Sequence, residues 1–122
     1  MNGIVDDAAS ELALLKAFRE GMIRRHFGLY VDSPTVTDQG LDEAVAAANG
    51  LRALRPKGIL ALEPLLDDPD PGVRSGAADF LVDEMPERAV PILKALGASA
   101  ELEAGMTARV ALYFYNKQKS LN

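Results

Sequence analysis

Three groups of residues in this chain are of types that do chemistry. His26, the only histidine, follows directly on Arg24 and Arg25. Asp67, Asp68 and Asp70 crowd a short proline-containing turn, and Asp79, Asp83, Glu84 and Glu87 follow it. Arg19, Arg24, Arg25, Arg52, Arg55 and Lys57 supply scattered cations. None of these groups completes a reactive arrangement. One histidine cannot build a multi-histidine metal site, and no neighbouring Ser or Cys suggests a triad. The aspartates lack the central glycine and closing glutamate of a calcium loop, and Pro69 and Pro71 restrict wrapping around an ion. The later acidic residues read as a solvated face, not as a hydrolytic carboxylate pair. "GVRSG", residues 72–76, lacks the lysine and the spacing of a phosphate loop. No catalytic, cofactor-binding or metal-binding residue is expected, and no cofactor.

The totals restrict the classes further. The 122 residues predict one domain over 1–122, with 48% apolar and 25% charged residues, too hydrophobic for disorder. The net charge of −5 works against nucleic-acid binding that depends on neutralising phosphates. There is no cysteine, which excludes disulfides and thiolate metal sites. The opening "MNGIVDDAASE" is acidic where a secretory signal is basic, and no long apolar run follows. The expectation is a cytoplasmic protein of bacterial type with no membrane association.

Periodicity predicts helices throughout and no strand. The first covers 6–31, with a stripe of Ala8, Leu12, Leu15, Phe18, Met22, His26 and Tyr30 widened by Leu14, Ile23 and Phe27. Asp6 and Asp7 suit its N-terminus, and Gly21 and Gly28 each weaken it by about 1 kcal/mol relative to Ala. "VDSPTVTDQG", Val31 to Gly40, reads as a turn-rich connector. A second helix over 41–55 buries Leu41, Val45, Ala48, Leu51 and Leu54 and stops at Pro56. Four more helices are expected at 58–67, 71–85, 87–97 and 100–118, the first kinked or started by Pro64.

Two segments repeat in pattern. "ILALEPLL" from Ile59 overlays "VPILKALG" from Val90 at a shift of 31, and "GVRSGAADFLVDE" overlays "GMTARVALYFYNK" at a shift of 33. Each copy is a short proline-bearing helix, a turn and a longer helix, which is the signature of an α-solenoid. Arg74 falls in the first turn of its helix, where a cation opposes the macrodipole by about 0.3–1 kcal/mol. Its stem is expected to flank the core, with Asp68 and Asp70 as carboxylate partners that offset the charge. Asp68, Asp70 and Arg74 are accordingly read as structural turn and repeat-packing residues.

The "DPDPGVRSGAADFL" pattern of aspartate-proline turn, Val-Arg and alanine pair resembles the HEAT repeat. Residues 41–116, through "VRSGAADFL" and "PERAVPILKAL", look like a small bacterial HEAT-like helical family of unknown function. Tyr113-Phe114-Tyr115 stands where that resemblance leads one to expect a tryptophan. It implies an all-α fold, a short HEAT-like αα-superhelix of about six helices, with no established activity.

The last helix points to partners. Leu102, Met106, Val110 and Phe114, with Tyr113, read as an inward stripe, and Ala108, Leu112 and Tyr115 as a second one. Two placements are open for Leu112 and Tyr115: exposed, as a partner or dimer surface, or packed on the first helix. The function expected is a non-enzymatic protein–protein interaction module with an unidentified protein partner, a homodimer being one form of it. One alternative is an immunity-type inhibitor of a cognate toxin, consistent with small size and acidity. The other is a HEAT-like DNA-binding or base-excision enzyme, since some HEAT-like proteins are DNA glycosylases; acidity and the lack of tryptophan argue against it.

Overall fold

A computed structural model describes residues 3–121, with side chains from residue 8 onward. Asp6 and Asp7, expected to favour the first helix's N-terminus, lie outside the described side chains. Among the described residues the regular structure is all helical, six helices and no strand: α1 (Gly3–Tyr30), α2 (Pro34–Ala53), a 3-10 helix (Gly58–Asp67), α3 (Pro71–Leu81), α4 (Pro86–Gly97) and α5 (Leu102–Leu121). The chain divides into two compact units between Leu62 and Glu63.

In the first unit α1 packs along α2. The turn between them takes only Val31, Asp32 and Ser33. Asp32 adopts the left-handed conformation, φ 57°, and its N–H donates to the Leu29 carbonyl at 3.3 Å. The Ser33 N–H donates to the Gly28 carbonyl at 2.8 Å. These two bonds form a Schellman closure of α1. Ser33 at once opens α2: its Oγ accepts the Val36 N–H at 3.3 Å, and Pro34 takes the first helical position. α2 therefore starts seven residues before the expected Leu41. The segment read as a connector is dense in turn-forming residues, yet Ser followed by Pro is also a helix-start signal, and here the latter prevails. α2 stops at Ala53, just short of the expected end, and Arg55–Pro56 is a cis peptide.

The helices approach closely because their facing residues are small. A Cβ on Gly40 would lie 2.3 Å from the Arg25 backbone nitrogen, and one on Gly28 would lie 2.4 Å from that of Thr37. Gly40, Ala44, Ala47, Ala48 and Leu51 form the buried side of α2, and Val45, expected inside, is exposed. On α1 the middle of the predicted stripe is buried, with Phe18, Met22 and His26 inside; Leu12 and Tyr30 at its ends are exposed.

In the second unit α3 packs against α4 and α5, and α4 against α5. α3 is short and buried nearly all round, with Gly72, Val73, Ser75, Gly76, Ala77, Ala78 and Leu81 inside. It ends at Leu81, four residues before the expected Met85. Pro86 opens α4 and holds Met85 out of helical geometry, at φ −143° and ψ 65°. The 3-10 helix includes Pro64 without a break.

Candidate interaction surface

The aspartate-proline corner is a helix cap. Asp70 Oδ1 accepts the N–H groups of Gly72 at 2.8 Å and Val73 at 3.2 Å, so two of the unpaired donors at the start of α3 are satisfied. Asp68, itself buried, turns its carboxylate on the Asp70 N–H at 2.9 Å, and Pro71 takes the first helical position. Arg74 differs from the expected carboxylate pairing. Its Nη1 donates to the main-chain carbonyls of Asp68 at 2.8 Å and Pro69 at 3.2 Å. The aspartate carboxylates are turned onto backbone N–H groups, and the guanidinium reaches the carbonyls that the same corner turns toward it. The cation in the first turn of α3 thus faces partial negative charge.

Arg88 on α4 carries the ion pair that the sequence reading missed. Nη1 donates to Glu63 Oε2 at 2.9 Å, and Nη2 to Asp67 Oδ1 at 3.2 Å. The hydrogen bond to Glu63 is the main cause holding the Arg88 pKa above the usual arginine value; the bond and charge of Asp67 reinforce it, while burial acts in the opposite direction. No spacing rule pointed to it: a four-residue separation sets two carboxylates side by side on an α-helix, but Glu63 and Asp67 lie on a 3-10 helix, and the pairing depends on how α4 packs against it.

Four of the six scattered cations of the first unit have acceptors within that unit. Arg24 pairs with Glu43, Lys57 with Glu11 at 3.7 Å, Arg52 Nη1 donates to Asn49 Oδ1 at 2.8 Å, and Arg55 Nη1 donates to the carbonyls of Arg52 and Leu54. His26 is buried, and its Nδ1–H donates to the Met22 carbonyl one turn earlier at 2.8 Å. An open cleft of 240 Å³ lies beside Gly28, Asp32, Ser33, Thr37 and Asp38. That is below the roughly 300 Å³ at which small-molecule sites begin. Among the described residues no three His, Cys, Asp or Glu side chains are grouped to hold a metal ion, and no helix is long and apolar enough to cross a membrane.

The most informative surface is on α5, where the expected orientation is reversed. Ala104, Gly105, Thr107, Ala108 and Ala111 are the buried residues of this helix. Leu102, Met106, Val110, Tyr113, Phe114 and Leu121 are exposed, Leu102 by 75% and Phe114 by 62%. The row read as inward faces away from the unit. The physical reason is the closeness of α4: a Cβ on Gly105 would lie 2.9 Å from the Leu96 carbonyl oxygen. Large side chains do not fit that approach, whereas small ones let the backbones come together. Arg109 secures the contact by donating to the Gly97 carbonyl, the last of α4, at 2.9 Å. Leu112 and Tyr115, for which a partner surface and an inward packing were both open, are half-buried on the side of α5 away from the exposed row.

The exposed row has ordered internal contacts. Tyr113 and Phe114 meet edge to face, with ring centroids 5.3 Å apart, and the Lys117 ammonium lies 5.7 Å from the Tyr113 centroid. Comparison of the chain with protein-family models, curated proteins and solved structures gives no match.

Proposed function

We propose that this chain is a non-enzymatic protein-interaction module built from HEAT-like helical hairpins, and that its docking surface is the outward face of α5. The observation that carries the reading is the row from Leu102 through Met106 and Val110 to Tyr113 and Phe114, apolar side chains held in water by a helix whose small-residue side is already used in packing. Covering apolar surface is favourable by about 25 cal/mol per Å², so a continuous exposed row is a standing driving force for association. Aromatic rings and Met, both present here, are the side chains enriched at such surfaces.

The test is retention of a protein ligand by immobilised wild-type chain and by a Met106→Asp, Val110→Asp variant. Both positions are exposed, so the variant is expected to keep the wild-type circular dichroism and Tm. Loss of the retained protein in the variant supports the reading. Equal retention by both overturns the assignment to α5, and a wild type that neither retains a protein nor self-associates overturns the module itself. Aspartate at Leu112 and Tyr115 would serve less well, because those side chains are half-buried and the change would disturb packing.

A further inference from the structure

The outward face of α5 carries its own complement. With about 100° of rotation per residue, Val110 lies midway between the exposed Met106 and Phe114, and half-buried Glu103 and exposed Lys117 fall close to the same line toward the two ends. Glu103 and Lys117 are each seven residues from Val110, in opposite directions. Charge of one sign therefore stands at one end of the apolar row and of the other sign at the far end, with Val110 midway.

We infer that the partner of this face is a second copy of the chain, with the two α5 helices packed antiparallel about a two-fold axis at Val110. The inference rests on the reading of α5 as the docking surface and names its occupant. The axis sets Met106 of each copy against Phe114 of the other, an S–aromatic contact made twice. It sets Glu103 of each copy against Lys117 of the other, so both charged ends are matched. A parallel pair would instead oppose Glu103 to Glu103 and Lys117 to Lys117. Antiparallel packing also aligns each helix N-terminus with the partner's C-terminus, which the macrodipoles favour. The contact is isologous, as a two-fold requires: the same patch serves both copies.

One helix face covers less than the roughly 800 Å² per partner of a standard stable interface, so the dimer is expected to be weak and its population to depend on concentration. Sedimentation velocity over a concentration series is the measurement, made on the wild type, Val110→Asp, Glu103→Lys, and the double variant Glu103→Lys, Lys117→Glu. Wild type should pass from monomer to dimer. Val110→Asp places two carboxylates at the axis and should raise Kd at least about tenfold. Glu103→Lys should weaken the dimer about fivefold or more, since each change turns two matched pairs into like-charge pairs. The double variant should recover the wild-type Kd. The two positions lie too far apart along one helix to interact within a single copy, so recovery reports a contact between copies.

A wild type that stays monomeric throughout overturns the inference. If that monomer still retains a protein that Met106→Asp, Val110→Asp loses, the interaction module stands with a different occupant; if it retains none, both readings fall. A dimer unaffected by Val110→Asp, or one that the double variant fails to restore, places the contact elsewhere or in another register and equally overturns the antiparallel pairing.

Discussion

Gly28 of α1 faces Thr37 of α2 so closely that a Cβ on the glycine would stand 2.4 Å from the threonine backbone nitrogen and 2.5 Å from its hydroxyl. The Gly28 carbonyl also accepts the Ser33 N–H that closes the turn. Absence of a side chain here is therefore what allows a three-residue turn to be followed at once by a packed helix pair. Gly28→Ala should gain helix propensity of about 1 kcal/mol, but the obstacle is rigid backbone and the helices must separate. A net loss of about 1–3 kcal/mol is expected, as for other overpacked sites. Urea denaturation of the two proteins measures it, and an unchanged midpoint would mean that the helices are not in this contact.

Asp32 offers the opposite change. It holds φ 57° at the closure of α1, a conformation that costs a residue with a Cβ about 1–2 kcal/mol. Asp32→Gly removes that strain at the expense of greater freedom in the unfolded chain. The balance should be a gain of about 0.5–1 kcal/mol, seen as a higher Tm. A lower Tm would show that the aspartate side chain contributes more to the turn than its backbone conformation costs.

The corner before α3 yields a graded pair. Asp70→Ala leaves the Gly72 and Val73 N–H groups without their acceptor and should cost about 1 kcal/mol, up to about 2. Asp70→Asn keeps an acceptor oxygen and should lose much less. Arg74→Met keeps the stem but not the bonds to the Asp68 and Pro69 carbonyls, and should cost about 1 kcal/mol. If Asp70→Ala matches Asp70→Asn in Tm, the cap is not formed.

Arg88 separates charge from pH. Its folded pKa is raised by hydrogen bonds to Glu63 and Asp67, so its contribution is fully present below the unfolded arginine value and is lost only as pH rises through the still higher folded one. Melting curves between neutral pH and moderate alkali should therefore show no loss arising from this residue. Arg88→Met should lower Tm at low salt, and the gap to wild type should narrow as salt is added, because the pair is partly exposed and screened. A gap indifferent to salt would assign the effect to the arginine stem.

What the amino-acid sequence determined by itself is the helical class and most helix starts and stops. Asp70 followed by Pro71 starts α3, and Pro86 starts α4, because capping and proline sterics act over a few bonds and need no distant partner. Ser33-Pro34 carries the same signal, legible but outweighed in reading by the turn residues around it. What only the tertiary structure decided is which side of α2 and of α5 faces inward. A 3.6-residue apolar row looks the same in sequence whether it meets a core or solvent. The choice depends on how near the neighbouring backbone comes, and at Gly40 and Gly105 it comes so near that alanine and glycine go in, leaving Val45, Met106 and Val110 outside.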